Sequence, residues 1–175
     1  MKPLPERCPA VSTLSLVVVP MRQGEYEKAA GYAREALEIA HRIGYRFAGE
    51  IALYTLAQTA WESGDREQAY RYFREPLKVA HEPAERVNAA HSIRALAAVR
   101  TRDEPRRTAR LPGAAEALLE AAGVPTYAFS DNGLHLRAAR RIRDKLGEET
   151  WSEAREEGRL MNFEQAVKFA LDEAP

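Results

Sequence analysis

The side chains that could do chemistry in this chain are four histidines, one cysteine and many carboxylates and arginines. The histidines are His41, His81, His91 and His135. No two stand at the H-x-x-x-H spacing that sets two imidazoles on one helix face, and no cysteine neighbours any of them. No metal site is therefore expected. No serine lies in the GxSxG setting of a nucleophile elbow. Glu148 and Glu149 are adjacent, so on a helix they point to different faces and cannot bracket one reacting bond. No GxxxxGK[ST] phosphate loop is present. These absences predict a protein that is not an enzyme and carries no cofactor. Cys8 has no second thiol to pair with, which fits a reducing, cytoplasmic compartment.

The arginines are the strongest remaining candidates. One group is Arg94, Arg100, Arg102, Arg106, Arg107 and Arg110, and another is Arg137, Arg140, Arg141, Arg143 and Lys145. Within the first, Arg100, Arg106, Arg107 and Arg110 form a candidate anion-binding face, and a nucleic-acid accessory module is the alternative function it suggests. Two observations argue against nucleic acid. Lys plus Arg is 26 and Asp plus Glu is 26, so no net positive field draws a polyanion. No aromatic residues interleave with the arginines to stack on bases. The simpler reading is a solvated helix face paired with Glu104, Glu116 and Asp144. A recognition helix at Phe163 to Leu171 would carry only Lys168, a poor match to a phosphate backbone.

The elements that must carry these residues are helices. Alanine, leucine, glutamate and arginine dominate, and all lose little rotamer freedom in a helix. No apolar run approaches the ~20 residues of a membrane span. Ala10 to Met21, behind Lys2 and Arg7, lacks the small-x-small site of a signal peptide and is read as a buried helix.

An internal repeat organises the chain. Gly24 to His41 (GEYEKAAGYAREALEIAH) lies over Gly64 to His81 (GDREQAYRYFREPLKVAH) without a gap, and nine of eighteen positions are identical at an offset of 40 residues. Each copy follows an apolar helix, Leu14 to Met21 or Ile51 to Trp61, and opens on a glycine suited to a left-handed turn. The helix after it has one apolar face: Ala29, Ala33, Ala36, Leu37 and Ala40, or Ala69, Tyr72, Phe73, Leu77 and Ala80. A weaker third unit pairs Ala89 to Arg100 with Pro105 to Ala122. Asp103 stands at its turn, and Pro105 suits the first turn of the helix that follows.

Leu56, Ala57, Gly64, Ala69 and Phe73 resemble the small and large packing residues of tetratricopeptide repeats. That resemblance implies an α-solenoid of helical hairpins in which the first helix of each hairpin lines a concave, partner-binding face. The residues it puts there as exposed candidates are Tyr54, Gln58, Trp61 and Glu62, then Asn88, His91, Ser92 and Ala95. The segments Ala109 to Pro125 and Lys145 to Leu171 resemble, more specifically, the end of the C-terminal repeat arm in bacterial LuxR-type transcription regulators and related predicted ATPases. The likeness spans most of residues 11–172. It implies a regulatory, protein-binding scaffold, and the chain looks like such an arm without its nucleotide-binding body.

The expected layout is all-α. Residues 1–10 are disordered, 11–125 hold three tetratricopeptide-like hairpins (about 11–44, 47–82 and 85–122), and 130–173 form a three-helix C-terminal cap. In the cap, Ser130 or Asp131 starts a helix that ends at Gly147, and a second helix runs from Glu148 to a stop at Gly158. Asn162 with Gln165 makes a capping box for a third. Leu146, Trp151, Leu160, Phe163, Val167 and Leu171 are expected to pack together. Pro20, Pro76 and Pro112 should each kink or break the helix just before them. The partners expected are a protein or a second copy, which the uncovered apolar run Leu14 to Val19 would suit.

Overall fold

A proline at position 20 decides how the chain begins. In the computed structural model, which describes residues 9–78, 83–100, 104–124 and 133–171, α1 (Pro9–Ser15) stops short and α2 (Val18–Gln23) starts afresh. The Leu16 N–H donates to the Thr13 carbonyl at 3.1 Å and the Val17 N–H to the Leu14 carbonyl at 3.2 Å, a tightened turn between the two. Pro20 has no N–H, and its ring would collide with the Leu16 carbonyl in a continuous helix. The apolar helix expected over Leu14 to Met21 is thus two short ones. Pro9 and Ala10 already belong to α1, with Ala10 fully buried, and not to a disordered leader.

The described residues are helical throughout their regular structure, with no strand among them. Two compact units are present, residues 1–72 and 73–175. In the first, α1 and α2 pack on α3 (Tyr26–Ile43), and α3 packs along α4 (Arg46–Glu62). The alanine stripe read from the sequence is the reason. Ala29, Ala33, Ala36 and Ala40 are all buried, and their small side chains let the neighbouring helices come close. Ala29 and Ala33 meet Val17 and Leu56, with Met21, Leu37 and Tyr72 packed around them. Ala40 meets Ala10 and Ala48 beside Ile39 and Tyr45.

The two repeat copies share a conformation and then part. Gly24 (φ 76°) and Gly64 (φ 92°) are both left-handed, a region that costs a side chain with a Cβ about 1–2 kcal/mol. Helices α3 and α5 (Arg66–Arg74) follow at equivalent positions. From Glu75 the copies differ: α3 runs on to Ile43, whereas α5 gives way to a 3-10 turn, Glu75–Lys78. Pro76 stands where the first copy has Ala36, and the missing N–H ends the α-helical ladder. Ala80 and His81 lie outside the described residues.

In the second unit α6 (Pro83–Val99) is the central element, touching α7 (Pro105–Ala121), α8 (Leu134–Leu146) and α10 (Phe163–Leu171). Residues 88–98 of α6 are all buried, as for a helix surrounded on every side. Helix α9 (Glu148–Arg159) lies against α7. Pro112 does not break α7, which is continuous through it. Packing holds the helix there, since Leu111, Pro112, Gly113, Ala114 and Ala115 are all buried.

Helix α9 ends at Arg159, one residue past the stop expected at Gly158. Gly158 has a second role, since a Cβ on it would lie 2.0 Å from the Arg110 carbonyl oxygen. Reciprocally, a Cβ on Gly113 of α7 would lie 1.9 Å from the Arg155 carbonyl oxygen. Ala109 with Gly113 and Ala154 with Gly158 place small residues four apart on both helices, all buried. The two backbones cross in near contact at that point. The Asn162 capping box forms as read. The Gln165 N–H donates to Asn162 Oδ1 at 2.9 Å, and the Asn162 N–H to Gln165 Oε1 at 3.0 Å. Leu160 leaves the expected cap core and is 81% exposed, because α9 ends at Arg159 and turns it to solvent. Trp151, Ala154, Ala166 and Ala170 are the buried residues of α9 and α10 besides Gly158. Asp103, Ser130 and Asp131 lie outside the described residues.

Candidate functional site

The residues proposed for a concave face do not share one environment. On α4, Tyr54 is buried, and Gln58, Trp61 and Glu62 are half-buried. Trp61 lies under the Arg66 guanidinium, 4.9 Å from the ring centroid. Such a contact contributes about 0.5–1 kcal/mol at an accessible site. On α6, Asn88, His91, Ser92 and Ala95 are all buried, which corrects their expected exposure. The cause is the position of α6: helices pack on it from several sides, so no face of its middle remains for a partner. His91 Nδ1 stands 3.2 Å from Arg94 Nη2, inside the same buried stretch. Ser92 Oγ has no hydrogen-bond partner among the described residues.

In the first unit a small hollow of about 160 Å³ opens between α3, α4 and the start of α5, with Tyr26, Ala30, Thr59, Gln68 and Tyr72 in its walls. Its charged groups are held. Arg34 donates to Glu27 at 2.6 Å, and the Asp65 carboxylate accepts the Gln68 N–H at 3.0 Å, capping α5.

Arg106, Arg107 and Arg110 all lie on α7, and α9 supplies carboxylates to Arg106 and Arg110. Arg106 and Arg110 share the Glu157 carboxylate, at 2.6 and 2.5 Å, and Arg106 also approaches Glu153 at 3.8 Å. Past the glycine crossing the signs exchange. Glu116 pairs with Arg155 and, at 3.9 Å, with Arg159, while Glu120 binds Arg159 at 2.6 Å. The expected partners of the arginines were Glu104, Glu116 and Asp144. Glu116 instead serves α9 arginines. Asp144 does pair within the second arginine group, with Arg140 at 4.0 Å. Hydrogen bonding from Arg106 holds the Glu157 carboxyl below its usual range, and Arg159 does the same for Glu120. The same contact raises Arg159.

Three of the four candidate anion-binding arginines gather at one surface hollow of about 520 Å³ in the second unit. Arg106, Arg107 and Arg110 line it with Pro105, Leu146 and Phe169. The Arg107 guanidinium lies 4.7 Å from the Phe169 ring centroid and that of Arg110 5.8 Å. Arg107 also donates to the Phe169 carbonyl at 3.5 Å. Arg100, at the end of α6, is half-buried and does not line the hollow. Sequence reading missed Leu146 and Phe169 as companions of these arginines, since their nearness comes from α8 and α10 folding back on α7. Among the described residues no group of three or more histidine, cysteine or acidic side chains is placed to hold a metal ion. Among them, too, no helix is long and apolar enough to cross a membrane.

No family model, no curated protein and no solved structure matches the chain.

Proposed function

We propose that this chain is a non-catalytic interaction scaffold of tetratricopeptide type, akin to the repeat arm of bacterial LuxR-type regulators, which holds a protein partner. The observation that carries the reading is the repeated turn and helix. Gly24 to Arg34 and Gly64 to Arg74 have related sequences, left-handed glycines and helices that start in register. Stacked repeats of this kind bury apolar faces between neighbours and leave other helix faces to a partner. On α4 the half-buried residues of the expected face are Gln58, Trp61 and Glu62, whereas Tyr54 lies in the core.

A photo-crosslinking residue at position 58, 61 or 62 tests this in the producing cell. One discrete adduct is expected from these positions and none from Leu136, an exposed residue of α8. The partner identified should then bind the purified chain saturably, and Glu62→Lys should weaken that binding. Equal adducts from Leu136, or no saturable binding, would remove the reading.

A second reading has its own support. Val11, Leu16, Val18 and Val19 are exposed large apolar residues within one short stretch that spans α1, α2 and the turn between them. Their burial against a second copy would make the chain a self-assembly element. Sedimentation giving a monomer mass at every concentration excludes it. Nucleic-acid binding is disfavoured by the pairing of Arg106 and Arg110 with Glu157. A salt titration with DNA and RNA decides that question, because phosphate contacts weaken steeply with salt.

A further inference from the structure

We infer that the hollow at the start of α7 is a binding site for a small organic monoanion, a carboxylate carried on an aromatic or alkyl body. Its walls are of two kinds. Arg106, Arg107 and Arg110 bring three guanidinium groups to it, and Pro105, Leu146 and Phe169 bring apolar surface. A guanidinium presents a planar fork of donors that matches a carboxylate in two-point contact. Flat apolar surface beside it suits a ring or chain attached to that carboxylate. The volume, about 520 Å³, falls in the range of small-molecule sites.

Arg106 and Arg110 keep donors to spare. Glu157 has two carboxylate oxygens, and Arg106 and Arg110 each take a different one. Each guanidinium has five N–H groups, so those bonds leave most of them unused. Arg110 Nε is buried and has no hydrogen-bond partner among the described residues. Phe169 holds the Arg107 and Arg110 side chains in place through its ring, so part of the ordering cost of binding is met before the ligand arrives. Charge selects the class of ligand. Glu104 in the wall, Glu157 behind it and, at longer range, Glu153 offset much of the arginine charge. One further negative charge suits the site, and two would be repelled by these carboxylates. A protein scaffold with such a site would respond to a metabolite as well as to a partner, but the site stands on its own geometry and not on the repeat reading.

Titration of the full chain with 4-phenylbutyrate, 4-phenylbutyramide and inorganic phosphate, followed by amide NMR and calorimetry, tests the inference. The carboxylate should bind saturably at millimolar concentration, shifting amide signals of Leu146, Phe169 and the first turn of α7. The neutral amide should bind about tenfold more weakly, as expected for loss of a charge-assisted hydrogen bond. Arg106→Gln, at an exposed position, should cause a similar loss with the helix signal unchanged. Arg107→Lys keeps the charge but loses the fork, and should fall between. No saturable binding of the carboxylate, equal affinity for the amide, unchanged affinity in Arg106→Gln, or phosphate binding as tightly as the carboxylate would each overturn it.

Discussion

Replacing Gly113 by alanine sets a methyl group where the α9 backbone already lies. The new Cβ would be 1.9 Å from the Arg155 carbonyl oxygen and 2.8 Å from its carbon, whereas ordinary contact begins near 3.4 Å. These are backbone atoms and cannot swing aside, so α7 and α9 must separate by roughly 1 Å or more in a close-packed interior. Overpacking of this kind costs about 1–3 kcal/mol, and a clash with backbone belongs at the upper end. Alanine recovers about 1 kcal/mol over glycine in a helix interior. The net loss is therefore about 2 kcal/mol, which for a chain of this size lowers the melting temperature by roughly 4–8 °C. Gly31 in α3 is the control, because a Cβ there meets nothing within 4 Å. Gly31→Ala should raise stability by about 0.5–1 kcal/mol. Thermal and urea unfolding followed by far-ultraviolet circular dichroism read both signs. Gly158→Ala should behave like Gly113→Ala, and the double variant should lose less than the sum, since either substitution already opens the crossing. A Gly113→Ala variant as stable as the parent would refute the close approach.

Three further outcomes are expected. Asn162→Ala removes one half of the capping box and should cost about 1 kcal/mol, read as a shift of the urea midpoint. Leu160→Gln should change stability by less than about 0.5 kcal/mol, as for an exposed position without a partner; a larger loss would mean that Leu160 packs after all. Acid should weaken the α7–α9 contact. Glu120 and Glu157 titrate lower in the folded chain than in the unfolded one, so their contribution is complete above the ordinary glutamate range, near about pH 4.3, and is lost as pH falls through their folded values. Stability measured from neutral pH down to acid should show a decline that is shallower in Glu120→Gln/Glu157→Gln. An identical decline would show that these carboxylates do not link folding to pH.

Local order was legible because its causes are local. The three- and four-residue spacing of Ala29, Ala33, Ala36 and Ala40 is a property of neighbouring turns, and it marks the buried face of α3 with no partner in view. The same holds for the capping box at Asn162 and for the breaks before Pro20 and Pro76, each of which depends on hydrogen bonds within a few residues. The repeat at an offset of 40 residues was equally plain, and so was its partial decay at Pro76.

What the chain alone could not decide was which helices meet. Tyr54, Asn88, His91 and Ser92 look like surface residues on an amphipathic helix until other elements cover them, and burial of a polar side chain depends on those elements. Pro112 by itself predicts a break, yet packing around it outweighs the lost hydrogen bond. Gly158 marks the end of α9 to within a residue, but its place at a backbone crossing exists only through the pairing of α7 with α9. The small residues Ala109, Gly113, Ala154 and Gly158 carried the signal, but two such pairs become a contact only when their helices are brought together. The arginine hollow has the same origin: Arg106, Arg107 and Arg110 are neighbours in sequence, and Leu146 and Phe169 reach them only through the fold.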